Sequence, residues 1–280
     1  MCAAAGRRVD PLDKFRQFSQ KSHRTPHFGA RFRRFVGSLG ATFKMPSRVR
    51  VFVDFDGTIS LEDTTDVVLE RFADPSWQKV EADWLAGRIG SRECLRKQID
   101  LVRATPEELD SVCESVPLDP HFPELVALCR RHRIPLAVVS DGLERLVKKM
   151  LARIGVDVPI LANRLAYLGD RRWRLDFPHS ADDCRAGAGH CKCLALTNEP
   201  KSMRIMIGDG RSDFCAAETA DLVIAKGALV EHCQANGLPY IVFGNFAGAT
   251  TVLADWIGAI ERQSPIPHLA PGPIDATPAA

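Results

Sequence analysis

Several features are missing from this 280-residue sequence. No apolar run approaches the ~20 residues that a membrane-spanning helix requires. The longest hydrophobic stretches, such as Val51–Val53 and Leu136–Val139, have the length of strands instead. The nine cysteines are an odd count and follow no regular spacing, so no disulfide framework is indicated. They read as mostly free thiols of a reducing compartment, which places the protein in the cytoplasm. There are no internal repeats. What remains is an ordinary globular mix, with 45% hydrophobic and 26% charged residues. That mix excludes a wholly disordered, collagen-like or coiled-coil chain. The length allows one large domain or two small ones and is ample to bury a core.

The formal net charge of +2 conceals an asymmetry. Residues 1–48 carry 11 Lys/Arg and 2 acidic side chains, a charge of +9, whereas residues 49–280 sum to −7. The folded part is mildly acidic and the basic part is an arm. Its stretch Phe28–Val36 is basic and aromatic. Three readings compete for the arm: an Arg-rich targeting segment, an electrostatic arm for nucleic acid or an anionic membrane, and an upstream extension without function. The third is favoured, because Met45 sits four residues before the first strong strand; the arm is then disordered or not translated. It has no continuous apolar segment of the kind a secretory signal needs. Residues 263–280 contain Pro265, Pro267, Pro271, Pro273 and Pro278 and read as a disordered tail.

Between these ends, Val49–Asp54 reads as a buried strand that finishes in a carboxylate. Residues 62–118 read as helices. Thr105-Pro106-Glu107-Glu108 is a helix start, with Thr105 as N-cap, Pro106 in first position and Glu108 closing a capping box. Pro123–His132 reads as a helix, Pro135–Ser140 as a strand, and Leu143–Ile154 as an amphipathic helix. Short strands are expected over 159–176, around the turn Leu168-Gly169-Asp170. Met203–Ile207 is a further strand, followed by a polar loop and a helix from Asp213. Asp221–Ala225 and Tyr240–Phe243 are strands, and Ala247–Arg262 a closing helix. The alternation argues an α/β fold: a Rossmann-like parallel sheet with helices on both faces and right-handed crossovers. The helical stretch 62–118 interrupts it and reads as a small cap inserted after the first strand, leaving 49–61 and 119–262 as the core.

Ligands of such sheets bind beyond the carboxyl ends of the strands. Three strand ends are informative. The first is Asp54-Phe55-Asp56-Gly57-Thr58, where two carboxylates can face the same side. Carboxylates that share a spot repel, and an oxygen-liganded Mg²⁺ is the natural neutraliser. Ser140-Asp141-Gly142 brings a small hydroxyl to an expected helix N-terminus, which favours an anion. Asp209 and Asp213 add two more carboxylates, four residues apart, after the third strand. Acid clusters, a cation and an anion-friendly helix start together suit phosphoryl transfer.

Asp54-Phe55-Asp56-Gly57-Thr58 resembles the first motif of the haloacid dehalogenase-like (HAD) phosphohydrolases. Ser140 matches their second motif, Asp209 and Asp213 their fourth, and Lys192 in Gly189-His190-Cys191-Lys192-Cys193 is the best candidate for the third, a lone lysine. Four motifs in order are a strong signal, and the resemblance covers about residues 49–246. The cap between the first two motifs is similar to the phosphoserine phosphatase-like branch. Phe177-Pro178-His179-Ser180, the Cys-containing loop up to Lys192, and Asp63 resemble the methionine-salvage phosphatases that act on 2-hydroxy-3-keto-5-methylthiopentenyl 1-phosphate. The sequence departs from them in two places: Ser140-Asp141-Gly142 stands where Ser-Gly-Gly is expected, and Leu194 where a Pro commonly follows the lysine. Phosphoserine phosphatases grip the substrate carboxylate with a cap arginine, and the most similar stretch here puts Gln98 there, which lacks the charged fork for a carboxylate.

The resemblance implies the following roles. Asp54 is the nucleophile and forms an aspartyl-phosphate. Asp56 protonates the leaving group and then activates water. Mg²⁺ is held by Asp54, the Asp56 backbone carbonyl and Asp209, with Asp213 ligating or standing behind them. Ser140 and Lys192 bind phosphoryl oxygens, and Gly57 and Thr58 shape the phosphate loop. Plainer readings stand beside these. Lys192 could be a surface lysine. Asp213 could cap the helix that follows it. Asp63 could reach substrate or be the N-cap of the first cap helix. Asp141 could contact substrate or cap a helix at Gly142. His179, Cys184, His190, Cys191 and Cys193 are a candidate metal cluster, though not in a familiar zinc spacing. The reading is a Mg²⁺-dependent phosphomonoesterase for a small phosphorylated metabolite, in methionine salvage on the resemblance. Phosphoserine or phosphoethanolamine/phosphocholine are the rival substrates, and nucleic-acid binding through the arm is the rival class, disfavoured by the acidic body. A homodimer is left open.

Overall fold

A computed structural model describes residues 49–199 and 201–261. The basic arm with Met45 and the proline-rich tail lie outside the described residues. The first strand, β1 (Val49–Val53), is central to the sheet. Alternate side chains of a strand point to opposite faces. Val51, Val53 and the following Phe55 therefore join the main apolar cluster, while Phe52 packs with Val139, Leu196 and Met206 on the other face. Burial on both faces is what makes such a strand read as one apolar run.

Residues 62–118 leave the core directly after this strand. They form α1 (Thr64–Phe72), α2 (Trp77–Leu85), α3 (Ser91–Ile99) and α4 (Pro106–Ser115). The two connections run side by side. Ser60 and Leu118 make an isolated antiparallel bridge, the Leu61 amide donates to Pro117 O (3.0 Å), and the Asp119 amide donates to Ile59 O (2.9 Å). The core resumes with α5 (Phe122–Arg131), β2 (Leu136–Leu143), α6 (Glu144–Arg153), β3 (Ile160–Gly169) and β4 (Arg172–Asp176). Then follow α7 (Lys192–Thr197), β5 (Met203–Gly208), a 3₁₀ turn (Arg211–Asp213), α8 (Phe214–Ala217), β6 (Leu222–Ala225), α9 (Gly227–Asn236), β7 (Tyr240–Val242) and α10 (Phe246–Glu261). The seven strands lie in the order β4-β3-β2-β1-β5-β6-β7, all parallel except β4, which returns antiparallel to β3. The hairpin closes at Gly169, Asp170 and Arg171, whose φ values are 84°, 49° and 61°. Among the described residues no helix is long and apolar enough to cross a membrane.

The α/β sheet with its helical insert is the expected architecture. Two local expectations need correction. The sequence places Ser140-Asp141-Gly142 at a helix start, but β2 continues through Leu143 and α6 begins at Glu144. The cause is a register shift against β3 between Val139 and Leu143, with the Gly142 amide donating to Ser140 Oγ at 2.9 Å. The helix expected from Asp213 is the four-residue α8, and Asp213 accepts no capping hydrogen bond from it. The short α7 and the ten-residue α9 were not visible in the apolar pattern.

The start of α4 follows its motif. Thr105 Oγ1 accepts from the Glu108 amide (3.2 Å), and Glu108 Oε2 accepts from the Thr105 amide (2.8 Å). Thr105→Ala removes half of this capping box and is expected to lower the unfolding free energy by about 1 kcal/mol, measured by urea denaturation.

Candidate active site

Strand register assembles the site. Val53 of β1 lies level with Val138 of β2 and Ile207 of β5. The next polar residues on each strand, Asp54, Ser140 and Asp209, therefore emerge together at the carboxyl edge. The Asp54 amide continues the ladder by donating to Ile207 O at 2.9 Å. Beyond it the chain coils tightly, and the amides of Thr58, Ile59 and Ser60 all donate to Phe55 O. This coil needs Gly57, at φ +72°, where a Cβ would stand 2.5 Å from Asp209 Oδ2. Thr58 Oγ1 then donates to Asp209 Oδ1 at 2.8 Å, so the hydroxyl of Thr58 orients an acid from another strand.

Lys192 is no surface residue. It is 1% exposed, and its ammonium donates to Asp54 Oδ1 (2.6 Å), Asp213 Oδ1 (2.7 Å) and Ser212 Oγ (2.9 Å). Burial alone would lower its pKa, but the Asp213 and Asp54 carboxylates more than reverse this and hold it charged. Asp213 supplies Oδ2 to the amides of Asp209 (3.1 Å) and Gly210 (3.2 Å). It thus braces the loop before it instead of capping the helix after it.

Asp54, Asp209 and Asp213 bring carboxylate oxygens within 4.8 Å of one another, a triad that can hold a metal ion. Burial, then the neighbouring carboxylates, raise Asp54 well above the usual range, with Lys192 pulling the other way. Burial and Asp213 raise Asp209 likewise. Three carboxylates face one ammonium, and every donor is a hard oxygen. That set fits a hard divalent cation.

Asp56 is held by α1. Its Oδ1 accepts from the Thr64 amide (2.9 Å) and Thr64 Oγ1 (2.5 Å), and its Oδ2 from Ser140 Oγ (3.3 Å). Burial raises its pKa in spite of these bonds, the direction a proton donor requires. Gly142 is pressed against the same side chain: a Cβ there would overlap Asp56 Oδ2.

A cavity of about 290 Å³ opens above Asp54, Asp56 and Asp209. The insert supplies its far wall, with Trp84, Leu95, Glu81 and Gln98. Gln98 is 3% exposed and donates through Nε2 to Glu81 Oε2 at 3.0 Å. Arg211, from the loop after β5, lies over the Trp84 ring at 4.9 Å and ties core to insert. Asp63 and Asp141 also line the cavity, but both carboxylates have partners. Asp63 is the N-cap of α1, accepting from the amides of Thr65 (2.8 Å) and Asp66 (3.1 Å). Asp141 accepts from Ser91 Oγ (2.7 Å) and the His190 amide (2.7 Å) and caps no helix.

Sequence reasoning missed Thr64, Ser212 and Lys226. Lys226 donates to Thr58 O at 3.3 Å and, by following β6 directly, was within reach of the strand-end rule. Thr64 and Ser212 carry no sequence signal beyond adjacency to the motifs. Cys191 and Cys193 Sγ are 3.1 Å apart, yet among the described residues the acidic triad is the group of three or more ligand atoms gathered within 4.8 Å.

His190 is 1% exposed, lies edge-on to His179, and both its ring nitrogens lack a partner. Burial, then Lys192, push its pKa down to about 3 from 6.5. Between those values the unfolded chain binds a proton that the folded chain does not, so stability falls as pH drops through this window. His190→Phe is expected to flatten the pH dependence of urea unfolding between pH 6 and 4 by ~1.4 kcal/mol per unit.

The model of the haloacid dehalogenase-like hydrolases matches residues 51–218. A 2-hydroxy-3-keto-5-methylthiopentenyl-1-phosphate phosphatase of Geobacillus kaustophilus is 32% identical over 227 residues, covering 79% of this chain and all of that protein. Its counterpart in Brevibacillus brevis is 30% identical, covering 75% and 96%. Among solved structures, a phospho-aspartyl intermediate analogue of phosphoserine phosphatase superposes with a TM-score of 0.55 at 19% identity, covering 74% of this chain and 98% of the other.

Proposed function

The chain belongs to the haloacid dehalogenase-like hydrolases and is a phosphatase of that family, a phosphoric monoester hydrolase; from that premise we propose that it hydrolyses a small phosphorylated metabolite through an aspartyl-phosphate. The observation that most supports this reading is the buried Lys192 ammonium held between Asp54 and Asp213 at the strand ends. Lys192 and Ser140 hold phosphoryl oxygens. The Asp54 oxygen not engaged by Lys192 attacks phosphorus as the bond to the leaving oxygen breaks. Asp56 gives its proton to that oxygen, then takes one from the water that attacks the phosphorus of the acyl-phosphate. Thr64 keeps Asp56 aimed through both steps. Asp54, Asp209, Asp213 and the Asp56 carbonyl would hold Mg²⁺. Bound there, it would neutralise the acids, keep Asp54 ionised and offset phosphoryl charge. Residues 62–118 serve as the cap of a core formed by 49–61 and 119–262.

For the substrate we take 2-hydroxy-3-keto-5-methylthiopentenyl 1-phosphate, the compound in the names of the relatives. The far wall supports a leaving group without a carboxylate. Phosphoserine would meet Glu81, and Gln98 has already donated its amide to that acid. Trp84 and Leu95 suit a thioether. The acids of the cavity also favour a cationic leaving group, so phosphoethanolamine and phosphocholine are the second reading.

Turnover of these esters and phosphoserine, with and without Mg²⁺, tests the assignment. The keto ester is expected to have the highest kcat/KM and phosphoserine the lowest, and chelator should abolish activity that Mg²⁺ restores. Asp54→Asn should lose nearly all activity with the fold retained; activity within tenfold of the parent would reject the nucleophile. Asp56→Asn should slow an alkyl ester ~10²-fold. An aryl ester, whose leaving group needs less protonation, should lose less in the first step.

A further inference from the structure

Asp141 lies near the end of β2 and lines the cavity, and the reaction as described gives its carboxylate no task. Its surroundings give it one. Oδ2 accepts from Ser91 Oγ at 2.7 Å, and Ser91 is the first residue of α3 in the insert. Oδ1 accepts from the His190 amide at 2.7 Å, two residues before Lys192. Asn163 of β3 secures the base, donating to the Asp141 carbonyl (2.6 Å) and to Oδ1 (3.2 Å). One side chain thus joins insert, sheet and the approach to the buried lysine.

The irregular segment between β4 and α7 is fastened to the same turn of α3. The Arg92 amide donates to Gly187 O (2.8 Å), and its guanidinium donates to Ala181 O (2.7 Å) and Ala188 O (3.3 Å). Gly189 is wedged so tightly that a Cβ would lie 2.7 Å from the Phe177 ring and 2.8 Å from Asp141 Oδ1. Arg96, one turn along α3, lies over the same ring, 5.2 Å from its centroid. The segment is therefore a strap. One side is held by α3 and Asp141, and its end sets the backbone of Lys192.

We propose that Asp141 is a positioning residue that couples the seating of α3 over the cavity to the placement of the Lys192 ammonium between Asp54 and Asp213. With α3 seated, Ser91 fixes Oδ2 and thereby aims Oδ1 at the His190 amide. With α3 lifted, the strap loses Ser91 and Arg92 together, and Lys192 loses its fixed approach. The phosphoryl-binding cation is in register only while the cavity is covered. This rests on the phosphatase reading for its effect on turnover, but not for the coupling itself.

Two measurements on the full chain decide it. In Ser91→Ala, amide hydrogen exchange at His190 should speed up about fivefold, the scale of one lost hydrogen bond, while Ser91→Thr keeps the hydroxyl and the slow exchange. With the best ester of the panel, Ser91→Ala and Asp141→Asn should each lower kcat about tenfold with KM within twofold, because a misplaced Lys192 weakens the transition state more than the ground state. The double variant should be no slower than Asp141→Asn alone. Unchanged exchange in Ser91→Ala, additive losses, or a raised KM at constant kcat would overturn the proposal, the last by making Asp141 a substrate contact. Absence of turnover in the parent would reject the phosphatase reading and leave the exchange result to decide the coupling.

Discussion

A lysine ammonium shut away from water between two carboxylates organises this molecule. Lys192 is 1% exposed, and its partners Asp54 and Asp213 are 4% and 0% exposed at their side chains. Buried ion pairs are poor sources of net stability, since desolvation offsets most of the attraction. Removing one partner is another matter, because it strands a charge. Each member is therefore fixed by the others, and each comes from a different part of the chain: the end of β1, the first residue of α7, and the 3₁₀ turn after β5. The sheet order that places β5 beside β1 is tied to this charge balance as well as to apolar packing.

The parallel sheet supplies the precision. Adjacent strands in fixed register end at one level, so Asp54, Ser140 and Asp209, far apart in sequence, become neighbours. The insert then contributes a wall and no reacting group. Its Gln98–Glu81 pair and Trp84 ring line the cavity on one side, and Asp54, Asp56 and Asp209 of the core line it on the other.

Much of this could be read from the residues. Val49–Asp54, Pro135–Ser140 and Met203–Ile207 announced themselves as apolar runs that end at or just before polar residues, because a strand buried on both faces has no other composition. The capping box at Thr105 was equally legible, being a local motif with local partners. Long-range geometry was not. Asp213 read as a metal ligand or, more plainly, as a cap for the helix after it; its bonds backward to the Asp209 amide and across to Lys192 were not visible. Asp141 read as a substrate contact or a helix cap; the strand bulge that turns it toward Ser91 and His190 depends on register with β3 and leaves no trace in sequence. Thr64 was passed over because a lone threonine has meaning only beside the acid it meets, Asp56.

The glycines have a consequence of a different kind. Gly57, Gly142 and Gly208 each lie against one carboxylate of the site, those of Asp209, Asp56 and Asp213 respectively, so closely that any β-carbon would displace it. At these three positions no substitution is small. Room for replacement lies instead in the walls formed by α2 and α3, where Glu81, Trp84 and Leu95 line the cavity. A change at the wall leaves the three carboxylates in place, whereas a β-carbon at any one of these glycines moves one of them.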